Sequence, residues 1–152
     1  MRIRRVPRVS PGRRPDPLRS VVVAVVALGG AVGALLRYAL GTAFPDPSAG
    51  FPWTVLTINV VGSLVLALLP ALAVVRRREL LPPMLGPGLL GGFTTLSTYA
   101  EQGRALLADG RTGLATTYLL GTLVACLAAV ALGTHLTRLQ DRRVFEAEEG
   151  DR

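Results

Sequence analysis

Thr94, Thr95, Ser97, Thr98 and Tyr99 place five hydroxyls within six residues, directly after the glycine pair Gly91-Gly92 and inside a long apolar stretch. Adjacent glycines weaken a helix, by about 1 kcal/mol each relative to alanine. The hydroxyls that follow offer replacement hydrogen bonds to any backbone so released. In hydrocarbon, non-helical backbone persists only where it is buried in protein or lines a polar cavity. A broken helix of this kind presents free carbonyls, which ligate cations. The chemistry implied is ion binding or ion passage, with no covalent step on a substrate.

Two further sets of polar residues have helical spacing. Asn59 and Ser63 lie four apart and share one helix face. An asparagine in a membrane helix is costly unless paired, so Asn59 faces other helices or water, either as interhelical glue or as pathway lining. Tyr118, Thr122 and Cys126 recur at i, i+4 and i+8, which also lines them along one face. That track fits an ion path and equally a packing stripe. Arg37, the one charge within the first apolar stretch, reads as a snorkelling anchor or as part of the ion path. One cysteine, Cys126, allows no intrachain disulfide, and with the single His135 it forms no metal-ligand cluster. No nucleophile–base pair appears in the apolar stretches, so the chain does not read as an enzyme.

The elements that must position these groups are membrane helices. The chain has 152 residues, half of them hydrophobic, and a mean hydropathy of +0.45. Crossing about 30 Å of hydrocarbon takes roughly 20 apolar residues. Four stretches qualify: Ser20–Leu40, Pro52–Val75, Pro82–Leu107 and Thr112–Leu136. The expected fold is therefore an all-α integral membrane domain over 18–137, with the third of its four helices broken mid-membrane. Gly29 and Gly33 give the first helix a small-xxx-small face for close contact. Residues 1–17, rich in Pro and Arg, read as a disordered basic tail, and 138–152 as a charged, solvated one. Four short spans make a thin bundle, which implies an oligomer.

The net charge of +7 comes from seventeen arginines against ten acids. Seven arginines precede the first span without any aromatic among them, which argues for a topology signal rather than a nucleic-acid surface. The N-tail, the loop after span two and the C-tail share one side and hold seven, three and four arginines. The opposite side has Arg104 and Arg111 at most. This bias sets both termini in the cytoplasm, in a multi-pass protein of the cell membrane.

Three segments, taken in order, resemble the bacterial fluoride channel family (the Fluc, or CrcB, proteins). They are Gly29-Gly30-Ala31-Val32-Gly33-Ala34-Leu35-Leu36-Arg37-Tyr38, Thr54-Val55-Leu56-Thr57-Ile58-Asn59-Val60-Val61-Gly62-Ser63 and Gly91-Gly92-Phe93-Thr94-Thr95-Leu96-Ser97-Thr98-Tyr99. The resemblance covers nearly all of residues 20–137. It implies an antiparallel dimer with two pores that exports fluoride passively and so relieves its toxicity. It also implies a central sodium ion (Na+) that is not transported, held by backbone carbonyls that map onto Gly91 and Thr94. Family pores carry two phenylalanines from the broken span, and the matching positions here are Leu96 and Tyr99. Asn59 matches the family's pore asparagine. Tyr118, Thr122 and Cys126 match its polar track, with cysteine where a hydroxyl is usual.

Partners implied are fluoride, membrane lipid and a second chain, with no nucleic acid. An antiparallel homodimer would need half the molecules to insert against the arginine bias. The expected partner is therefore an inverted paralogue in a heterodimer, in preference to a second copy of the same chain. Two alternatives remain: a non-conducting subunit of such a heterodimer, suggested by Leu96, and a small multidrug-type exporter. The exporter would need a membrane-buried carboxylate, and the first two spans contain none.

Overall fold

The computed structural model describes residues 17–47 and 50–150, with side chains for 18–47 and 50–139. The tail expected to be disordered lies outside the described residues up to position 16. Every regular element among the described residues is helical. The long apolar runs form α1 (Pro17–Ala43), α2 (Trp53–Leu68) and α7 (Thr112–Gly150). Leu18–Ala43, Trp53–Ala71 and Thr112–Leu139 are each long and apolar enough to cross a membrane, with mean hydropathies of 2.1, 2.0 and 2.0.

Proline punctuates the second stretch. Pro70 has no N–H to give to the ladder, so α2 ends at Leu68 and the chain tightens into a 3-10 turn, Leu69–Ala71. A short α3 (Ala73–Arg76) follows. The third stretch divides further. It comprises α4 (Leu81–Pro83), a π-helical segment (Met84–Leu90), α5 (Gly91–Phe93) and α6 (Leu96–Ala108). Pro87 sits inside the π segment. Its ring clashes with the carbonyl four residues back in an α-helix, and the wider π turn relieves that clash. The Gly91 N–H accordingly donates to Gly86 O, five residues back.

Thr94 and Thr95 are extended, with ψ of 158° and 116°. The interruption thus falls after the glycine pair, although the pair itself reads as the weak point in the sequence. Gly91 and Gly92 remain helical, and close contact with α1 employs the missing side chain of Gly92. A Cβ on Gly92 would collide with the Gly30 carbonyl, and one on Gly33 with the Leu89 carbonyl. The expected face of Gly29 and Gly33 therefore packs backbone-to-backbone on the π segment and α5. Such contact can hold helices together where lipid is as apolar as the side chains.

On the other side, α7 packs along α2 and α6, and the Thr137 hydroxyl shares its proton between Gly133 O at 2.9 Å and Ala67 O at 3.2 Å. Leu106, Ala115 and Tyr118 form the buried cluster between α6 and α7, with Phe51, Leu56, Tyr99 and Leu119 around it. Gly110, at φ 74°, turns the chain from α6 into α7. The charged run from 138 onward was expected as a separate tail, but the α7 backbone continues through it to Gly150. Residues 138–149 contain no Gly or Pro and are mostly good helix formers.

Gly33→Val should push α1 off the third stretch, because the obstruction is backbone and cannot swing aside. A destabilisation of about 2 kcal/mol or more is expected, read as a lower midpoint of detergent-induced unfolding. An unchanged midpoint would show that α1 is not seated there.

Candidate functional site

Extending two residues at the centre of a packed bundle frees peptide groups that have no water to bond. Three devices satisfy them. The Asn59 side chain from α2 clamps Thr95 on both sides: Nδ2 donates to Thr95 O at 3.0 Å, and Oδ1 accepts the Thr95 N–H at 2.8 Å. This pairing fixes which amide atom is which. The Thr95 hydroxyl caps α6 by accepting the Thr98 N–H at 3.1 Å, and it donates to Thr98 Oγ1 at 3.0 Å. From α1, Arg37 Nε donates to Gly92 O at 3.2 Å.

The remaining carbonyls differ from one another. Leu90 O accepts both the Thr94 N–H and the Thr94 hydroxyl, each at 2.9 Å. Gly91 and Thr94 carbonyls accept none of the backbone bonds around the interruption. Phe93 O accepts none of them either, and backbone oxygens of this type suit a hard cation. Among the described residues, no cluster of His, Cys, Asp and Glu could hold a metal, so backbone would have to supply the ligands.

A groove of about 550 Å³ opens beside the interruption. Its walls include Asn59, Gly91, Thr94, Leu96, Tyr99, Thr122 and Cys126, which brings to one place seven of the eight residues that the family resemblance maps onto cation or pore positions. Ser63, one turn from Asn59, joins them. No charged residue lines the groove. Its polar character comes from hydroxyls, one amide and one partly buried thiol.

Tyr118 is the exception. It is fully buried and donates its hydroxyl to Gln102 Oε1 at 2.8 Å, so it supports the wall from behind. Tyr99 keeps its ring in the wall but turns its hydroxyl onto Leu119 O, 2.6 Å away. Leu96 stands at the rim, 78% exposed.

Thr122 differs from three other threonines of α7. Thr116, Thr117 and Thr137 each donate to the carbonyl four residues back. The Thr122 hydroxyl is buried without any hydrogen-bond partner, a state that ordinarily costs about 1–3 kcal/mol. A second cavity, of about 410 Å³, lies on the other side of the interruption. Arg37, Asp46, Thr54, Thr98 and Gln102 are in its walls, and Thr95 belongs to the walls of both cavities. The extended pair is thus a partition one residue thick. Thr95 and Arg37 have larger structural parts here than the sequence suggested. A polar residue at the start of a helical run marks an N-cap and was a usable signal for Thr95, whereas nothing local to Arg37 points 55 residues along the chain.

The model of the family described as "CrcB-like protein, Camphor Resistance (CrcB)" matches residues 24–134. The chain belongs to the CrcB-like family. It is 44% identical over 131 residues to "Fluoride-specific ion channel FluC 1" of Streptomyces coelicolor, covering 85% of each chain. It is 45% identical over 131 residues to "Fluoride-specific ion channel FluC 2" of Nocardia farcinica, covering 85% of this chain and 93% of that one. A third relative, "Fluoride-specific ion channel FluC" of Novosphingobium aromaticivorans, is 44% identical over 119 residues, or 76% and 94% of the two chains. These CrcB-like relatives are named as channels, not as enzymes. The matched range spans α1 through most of α7, so it contains the interruption and both cavities.

In this CrcB-like chain, Asn59→Leu removes both bonds to Thr95 and leaves a buried N–H unpaired. The expected loss of stability is about 2 kcal/mol, whereas Thr122→Val, which removes a hydroxyl that bonds nothing, should cost almost none. Unfolding midpoints of the two variants measure the difference. Equal midpoints would show that Asn59 does not hold the interruption.

Proposed function

We propose that the chain is a subunit of a fluoride channel of the cell membrane, conducting passively so that fluoride leaves the cytoplasm down its gradient. The relatives' names supply the ion. The observation on this chain that carries the reading is Thr122, whose buried hydroxyl lacks any partner in the wall of the groove beside the interruption. A small, strongly hydrated anion needs fixed donors to replace its water. Thr122, the second amide hydrogen of Asn59 and the ring edge of Tyr99 are the groups on hand. No carboxylate lines the groove, and proton-coupled export of larger substrates requires one.

The structural cation belongs to the same reading. Sodium held by the Gly91 and Thr94 carbonyls would compensate the oxygens that the interruption leaves uncommitted, and it would not be transported. Gly91 is exposed in the single chain. A bare carbonyl facing lipid is not tolerated at membrane depth, which supports a second chain covering this face. An antiparallel partner would bring a matching pair of carbonyls to the same ion. The third stretch then serves as the broken helix of a four-span subunit, with its extended pair at mid-membrane.

The partner is a paralogue of opposite orientation, because fourteen arginines on the side of the termini, against two, hold this chain with both termini in the cytoplasm. Leu96 favours one further point. A leucine at the rim has no ring edge for an anion, which supports a second reading in which this chain's groove is silent, its partner's conducts and Thr122→Val leaves flux unchanged.

In liposomes containing the assembled channel, Thr122→Val should lower fluoride flux about tenfold or more, the scale set by one lost donor to a desolvated ion. Flux of the parent should collapse when a large organic cation replaces sodium on both sides. A parent-like rate for Thr122→Val removes this groove from the path, and undiminished flux without sodium removes the cation. Separately, an accessible tag on the C-terminus should be protected in intact cells. Substantial outside labelling would show dual orientation and favour a homodimer.

A further inference from the structure

Tyr118 lies behind the groove rather than in it, and its hydroxyl begins a chain of contacts that ends outside the bundle. It donates to Gln102 Oε1 at 2.8 Å, and Gln102 Nε2 donates to Asp46 Oδ2 at 3.3 Å. The other Asp46 oxygen accepts the Thr54 backbone N–H at 2.8 Å. A carboxylate can only accept, so Asp46 sets the direction of the whole series. Gln102 must turn its NH2 toward Asp46 and its oxygen toward Tyr118, and Tyr118 must donate. With 0% exposure, the Tyr118 hydroxyl has no solvent to fall back on. Its ring meets that of Tyr99 at 5.3 Å between centroids, tilted by 52°. Phe51 closes a second side edge-on at 5.6 Å.

We infer that Asp46, in the connection between α1 and α2, is a positioning residue for the Tyr99 ring in the groove wall, acting through Gln102 and Tyr118. Asp46 is not in the walls of the groove and belongs to the cavity on the far side of the partition. Its carboxylate also ties down the first turn of α2, the helix that carries Asn59. One acceptor-only group therefore orients the end of α2 and the aromatic support of the wall together. The effect on fluoride flux rests on the channel reading above; the effect on Tyr99 does not.

Asp46→Asn tests the direction. The new amide oxygen can still accept from Thr54, but its NH2 then faces Gln102, which must turn over and donate to the Tyr118 oxygen. The buried Tyr118 proton is left without an acceptor. Gln102→Met breaks the series at its middle and leaves the Asp46–Thr54 bond in place. The full chain, assembled in lipid and labelled with 3-fluorotyrosine, gives fluorine resonances that tyrosine-to-phenylalanine variants assign. Asp46→Asn and Gln102→Met should each shift the Tyr99 resonance and lower fluoride flux about tenfold, the scale of one buried hydrogen bond. In a Tyr118→Phe background, Asp46→Asn should add no further shift, because the hydroxyl that transmits it is gone. A Tyr99 resonance unmoved in both variants, or an equal shift with and without the Tyr118 hydroxyl, overturns the inference. A shift with unchanged flux overturns the link to the groove. If the parent carries no fluoride, the channel reading fails and the resonances alone decide the relay.

Discussion

Backbone polar groups must be satisfied inside the molecule wherever water is absent, and Thr94 and Thr95 put that requirement under the most strain. Two extended residues between α5 and α6 remove the helical partners of several peptide groups at once. The surrounding structure reads as a set of answers. Asn59 takes both polar groups of Thr95, Arg37 takes the Gly92 carbonyl, and the threonine hydroxyls bond back onto neighbouring backbone. The carbonyls of Gly91, Phe93 and Thr94 accept none of these bonds.

The same constraint accounts for how α1 is held. Arg37 can reach the Gly92 carbonyl only if the α1 backbone lies close to the third stretch, and Gly30 and Gly33 permit that approach. The π segment contributes as well. Pro87 widens the turn, and Gly88 presents bare backbone that α1 meets at Val26 and Gly29. Small residues and a widened helix thus serve one end, which is to bring a charged donor to an orphaned acceptor without a water-filled gap.

Much of this was legible in the sequence, and the parts that were not have identifiable causes. Hydropathy located the three long apolar helices α1, α2 and α7, whereas the third stretch, expected as one span, is divided into shorter segments; the glycine spacing located the face of α1. The polar break was read as following the glycine pair, but the role of the pair was ambiguous, because adjacent glycines signal both a weak helix and a close contact, and only the partner helix decides between them. Asn59 was read correctly as needing a partner, but not as clamping Thr95, since a side chain's partner 36 residues away leaves no local trace. The long α7 was cut short at the charged run because hydropathy reports burial in lipid, whereas helix propensity continues past it.

Periodicity had a particular limit at Tyr118, Thr122 and Cys126. Spacing of four places residues on one face of a helix, but a face covers a wide arc and successive turns drift around it. Of the three, Tyr118 faces the cluster of Leu106 and Ala115, while Thr122 and Cys126 line the groove. Their chemistry divides accordingly. A tyrosine hydroxyl reaches far enough to find Gln102 on the neighbouring helix, so Tyr118 can be buried fully paired. A threonine hydroxyl is short and has the carbonyl four residues back or whatever occupies the groove. Thr122 leaves that carbonyl alone, although other threonines on the same helix do not. A side chain that forgoes its local bond in a buried place carries a cost of about 1–3 kcal/mol, and Thr122 carries it in the wall of the groove.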